Sequence, residues 1–154
     1  MNNIERHEFN VNPESSHIIF RLDETLHPSI PSSDLTAGYS YRPDLIYINT
    51  VSEQELDFGN KGTVKVTLNK TYSSQEYADA TLSYSSLYFL TELYLWNTFR
   101  STTAGFIGGI TDDLTDEASI SITEDTTMIQ VVIFKNLPEN ANEIKVVIRE
   151  INLT

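Results

Sequence analysis

A chain of 154 residues, 40% hydrophobic and 21% charged, has the composition of a globular protein with one core, which sets aside a disordered tail or a multidomain array. Its net charge of −12 repels phosphate backbones and anionic lipid headgroups, so nucleic acid is not an expected partner, while cations, basic protein surfaces and neutral sugars stay open. Cysteine is absent, which removes disulfides, thiolate nucleophiles and zinc–thiolate sites, and no run approaches the roughly 18 apolar residues of a membrane span.

The segment Met1 to Phe9 carries Glu5, Arg6, His7 and Glu8 and has no apolar stretch of the signal-peptide kind, so the chain reads as soluble as written, its compartment undetermined. Four of the five prolines, Pro13, Pro28, Pro31 and Pro43, fall in the first 43 residues, where each fixes φ and removes a backbone donor. The expectation is one domain over 1–154 in which 1–43 is a proline-rich extended arm or loop region, lying on its own domain or across a neighbouring subunit. Within it, His17 to Leu22 alternates so that Ile18, Phe20 and Leu22 share a face, the pattern of a short strand.

A second strand is expected from Asp44 to Val51. The glycines of Gly59-Asn60-Lys61-Gly62 mark a turn, and Thr63 to Leu68 follows with Val64, Val66 and Leu68 inward. From Ser73 to Arg100 the period is ambiguous. A strand would set Leu87, Phe89, Leu93 and Leu95 on one face against Tyr84, Tyr88, Tyr94 and Trp96 on the other, whereas a helix would align Leu82, Phe89, Leu90, Leu93 and Trp96. The absence of Val and Ile between Leu82 and Phe99 tips the expectation to one helix around 86–99. Gly105 to Gly109 then reads as a break and Thr111 to Glu117 as an acidic loop. The segments Ala118–Thr123, Thr127–Phe134 and Glu143–Ile151 close the chain as β-strands, the last two adjacent and joined by an eight-residue loop. Strands joined by loops of irregular length, with at most one helix, define a mainly β fold, a β-sandwich or jelly-roll-like body.

Catalytic signatures are weak. His7, His17 and His27 are spaced by ten residues, which matches no ligand pattern, and neither a phosphate-cradling glycine loop nor a Gly-x-Ser-x-Gly elbow occurs. Carboxylates such as Asp23 and Glu24, or Glu53, Glu55 and Asp57, would make a hydrolase pair only if the fold brought two to the right separation. Asp112, Asp113 and Asp116 are the natural calcium ligands of the acidic run, although the Asp-x-Asp-x-Asp-Gly order is missing. Tyr and Trp supply rigid amphipathic area, so Tyr84, Tyr88, Tyr94 and Trp96 are the expected partner-binding residues. The expected function is therefore non-enzymatic and without a cofactor: a structural or protein-binding subunit of a larger assembly such as a virus-like particle, tail, filament or toxin complex, binding a protein partner or itself. A carbohydrate- or calcium-binding module, stacking sugar on Tyr84, Tyr88 and Trp96, is the second reading, and a hydrolase with an unrecognised carboxylate pair the third.

Overall fold

The computed structural model of the chain describes residues 5–11, 17–22, 38–42, 45–50, 64–97, 100, 102–107, 118–138 and 141–152. These form β1 (Glu5–Val11), β2 (His17–Arg21), β3 (Tyr39–Arg42), β4 (Leu45–Asn49), β5 (Val64–Thr71), α1 (Ser74–Ser83), β6 (Tyr88–Trp96), β7 (Thr103–Ile107), β8 (Ala118–Ser121), β9 (Met128–Lys135) and β10 (Glu143–Ile151). The strands make two five-stranded sheets, ordered β1-β5-β10-β9-β6 and β3-β4-β2-β7-β8.

Alternation along the strands dictates how the sheets meet. β10 runs parallel to β5, with Ile144 beside Val66 and Val146 beside Leu68, and antiparallel to β9, with Val146 opposite Ile133 and Ile148 opposite Val131. These branched side chains share one face and pack with Ile18 and Phe20 of β2, Ile46 and Ile48 of β4, and Ala104 and Ile120 from the other sheet. All are at most 5% exposed, so the two sheets close on a single dry layer, the β-sandwich expected from the sequence.

The helix lies elsewhere than the sequence reading put it. Ser73 caps α1, its Oγ accepting from the Glu76 N–H at 3.1 Å, and Glu76 Oε1 in turn accepts from the Tyr72 N–H at 2.8 Å. Tyr77 and Ala80 then seat the helix on Val132, Phe134 and Val147, on the outer face of the first sheet. Residues 88–96, expected as helix, are instead β6, paired antiparallel with β9. Leu93 and Leu95 enter the sandwich while Tyr94 and Trp96 point out, so burial along β9 overrode the helical preference of the leucines.

Two further readings are corrected. The stretch taken as an arm or loop region supplies β1 at one edge of the first sheet, β3 at an edge of the second, and β2 between β4 and β7, which puts those residues in the body of the sandwich; positions 12–16 and 23–37 lie outside the described residues. Gly105 to Ile107, read as a break, belong to β7, because Gly105 is paired on both sides, with Arg21 of β2 and Ser119 of β8, and ladder bonds on two edges outweigh the local preference of one glycine.

Candidate interaction face

The first sheet ends at β6, and α1 covers only part of its outer surface. On the uncovered part stand Phe89, Tyr94 and Trp96, which are 54%, 49% and 46% exposed. Phe89 and Tyr94 are an odd number of residues apart, so a regular strand would send them to opposite faces. A β-bulge between Phe89 and Thr91 inserts Leu90, which turns into the core, and leaves Phe89 edge-on to Phe134 at a centroid distance of 5.9 Å on the outer side. The result is an aromatic ridge along an edge strand, built by one extra residue.

Beside the ridge the sheet surface is polar and fully connected. The Tyr77 hydroxyl donates to Glu92 Oε2 at 2.7 Å, Gln130 Nε2 donates to the same oxygen at 3.5 Å, and Arg149 donates to Gln130 Oε1 through Nε and an Nη at 3.2 and 3.0 Å. Burial, reinforced by the Glu92 carboxylate, holds the Tyr77 phenol well above its ordinary range, so it stays a donor. Glu92 thereby places a charge on the exposed strand, one of the devices that keep an open edge from indiscriminate pairing.

Of the four residues expected to bind a partner, three lie on β6 and one does not. Tyr94 and Trp96 share the outer face; Tyr88, opposite Lys135, takes the other parity yet is 46% exposed at the start of the strand. Tyr84 ends α1 as its C-cap, its ring 5.9 Å from Phe134 and its hydroxyl accepting from Asn69 Nδ2 at 2.7 Å, and packs against the cluster under the helix. Phe89 joins the ridge although the sequence reading had not counted it among the partner-binding residues. Asp112, Asp113 and Asp116 lie outside the described residues, as do Asp23, Glu24, Glu53, Glu55 and Asp57. Among the described residues no three metal-ligating side chains come together, and no helix is long and apolar enough to cross a membrane.

One end of the sandwich is tied by charge. Lys70 Nζ donates to the Ser121 carbonyl at 2.8 Å and pairs with Glu150 at 3.3 Å, linking β5 and β10 to β8 of the opposite sheet. Glu150 Oε1 also accepts from the Thr123 N–H and the Thr126 hydroxyl, both at 2.9 Å. Outside this pair, Lys70 Nζ stands 5.4 Å over the Tyr72 ring, and the Tyr72 hydroxyl donates to Glu5 of β1. That hydrogen bond, with His7 and Lys70 nearby, holds Glu5 below the usual carboxylate range. Partial burial and the Glu5 carboxylate push Tyr72 up to about 12.

The two shifts act on opposite sides of neutrality. Glu5 is depressed in the fold, so its contribution is present above the unfolded carboxylate pKa and is lost as pH falls through the folded value. Tyr72 is raised from 10.0 to about 12, so its contribution is complete below pH 10 and is lost between 10 and 12. In Tyr72→Phe, carboxyl NMR titration is expected to show the Glu5 midpoint rising towards its ordinary value; an unchanged midpoint would mean the hydrogen bond does not govern it.

These features define a class: a two-sheet β-sandwich with a capped helix on one outer face and an aromatic edge strand beside it. No family model matches the chain, and no curated protein sequence matches it significantly. In fold it is similar to the crystal structure of ComJ, inhibitor of the DNA degrading activity of NucA, from Bacillus subtilis, with a TM-score of 0.61 over 96% of this chain and 98% of ComJ at 8% sequence identity. At that identity the likeness is one of architecture.

Proposed function

We propose that this chain is a non-enzymatic protein-binding module that docks its β6 face on a basic partner and, in its most specific form, inhibits a DNA-degrading enzyme. The ridge of Phe89, Tyr94 and Trp96 carries the reading, because half-exposed aromatics aligned on an edge strand are the kind of anchor that dominates interface energy. The net charge of −12 supports it: an enzyme that grips DNA offers a basic cleft, and an acidic protein is steered to such a cleft by the same field that attracts phosphates. The ComJ fold, found in an inhibitor of a DNA-degrading activity, supports the choice of partner class.

The unpaired outer edge of β6, among the described residues, favours a second reading: a subunit that joins a larger assembly by edge-to-edge pairing.

The test is an assay of plasmid cleavage by NucA and by a panel of purified basic nucleases, with increasing amounts of the intact chain. At least one enzyme is expected to lose activity at near-stoichiometric ratios, with inhibition weakening as salt rises. Full cleavage by every enzyme at large molar excess would overturn the inhibitory reading.

A further inference from the structure

We infer that the cleft beside Trp96 is a receptor for the guanidinium group of an arginine on the partner. The inference deepens the protein-binding reading and rests on it. The cleft, of about 560 Å³, is lined by Trp96, Asn97 and Arg100 together with the Glu124–Asp125–Thr126 turn and its neighbours.

Its lining is fastened together. The buried Asn97 donates from its backbone N–H to the Thr127 carbonyl at 2.9 Å and from Nδ2 to the Thr126 carbonyl at 3.1 Å. The turn is closed by the Thr126 N–H on the Thr123 carbonyl at 3.0 Å and by a 2.8 Å contact between the two threonine hydroxyls. Glu150 holds both threonines from below, as described above. Glu124 and Asp125, at the middle of this turn, are exposed and have no ionic partner among the described residues. An indole and two carboxylates are thus presented on a frame that need not be ordered when a ligand arrives.

The chemistry of that frame selects a planar cation. A guanidinium stacks on an indole face and donates in-plane to carboxylates, whereas an ammonium is more strongly hydrated and has no plane to stack. Two carboxylates against the single charge of Arg100 leave the cleft net negative, in line with the −12 of the whole chain. The cleft continues the Tyr94–Trp96 ridge, so a partner seated on the ridge has an arginine pocket within reach.

Trp96 is the only tryptophan, which makes its fluorescence specific for this cleft. The intact protein is titrated at low salt with an acetylated, amidated hexa-arginine peptide, and in parallel with hexa-lysine and with methyl glucoside. Saturable quenching by hexa-arginine is expected, weaker by roughly tenfold for hexa-lysine. A Glu124→Gln/Asp125→Asn variant should bind hexa-arginine at least about tenfold more weakly, whereas Glu8→Gln/Asp79→Asn, the same charge change on β1 and α1, should alter it by less than about twofold. Circular dichroism establishes that both variants fold. Equal weakening in the two variants would reduce the effect to net charge and overturn the inference, as would no quenching, or quenching by methyl glucoside alone. The peptide titration contains no nuclease, so the two readings fail separately. Peptide binding without inhibition of any enzyme removes the inhibitor and keeps the pocket; inhibition without a peptide response removes the pocket and keeps the inhibitor.

Discussion

Serine at both Tyr94 and Trp96 is expected to lower affinity for the partner by at least about a hundredfold, since truncated aromatic hot spots commonly cost about 2 kcal/mol or more each. Both side chains point away from the sandwich and are about half exposed, while Leu93 and Leu95 on either side of Tyr94 face the core and are untouched by the change. The fold should therefore survive with a loss of only about 1–2 kcal/mol, the apolar area these rings bury against the sheet. Calorimetric titration against an inhibited nuclease, paired with thermal melts, separates the two effects. Affinity within threefold of the parent would place the binding surface elsewhere.

A second large effect is expected from Lys70→Met. Removing one member of a mostly buried ion pair strands the other, and such changes typically cost about 3–5 kcal/mol, a large share of the roughly 5–15 kcal/mol that holds an ordinary domain together. Here the stranded group is Glu150, whose side chain is 17% exposed, and the Ser121 carbonyl loses its donor as well. The tie between the two sheets at this end would go with it, loosening the turn that carries Glu124 and Asp125. Adding Glu150→Gln should restore part of the stability, because the amide oxygen still accepts from Thr123 and Thr126 and no charge remains buried. Urea unfolding of the single and double variants checks both. A single variant as stable as the parent, or a double variant less stable than the single, would contradict this account of the corner.

Much of the sandwich was legible in the sequence because its inner strands alternate. The readings at His17–Leu22, Asp44–Val51, Thr63–Leu68 and Glu143–Ile151 rested on apolar residues at alternate positions, and β2, β4, β5 and β10 fall there. Edge elements were harder. β1 is a charged segment whose inward Phe9 is its main apolar signal, and it exists by pairing with β5. The helix carries its own signal, since Ser73 and Glu76 stand at capping-box spacing, but the lack of Val and Ile between Leu82 and Phe99 drew the helical reading towards 86–99.

The proposed face was partly legible. Tyr88, Tyr94 and Trp96 were named from their chemistry and lie on β6, Tyr88 on the other parity, whereas Tyr84 packs against Phe134 and the exposed Phe89 was not named. The bulge at Leu90 is set by register against Phe134 and Ile133, a partner strand remote in sequence, so local periodicity does not encode it. The cleft is less legible still: Asn97, Thr126 and Glu150 come together only when β6, β9 and β10 are side by side.

The most direct measurement of whether the β6 face receives the partner is ¹⁹F NMR of the protein carrying 5-fluorotryptophan at its single tryptophan position, free and mixed with an inhibited nuclease. The fluorine resonance of Trp96 should move on complex formation and lose its response to solvent isotope, because the indole becomes buried. A complex of defined mass in which that resonance stays unchanged and solvent-exposed would contradict the claim that this face is where the protein acts.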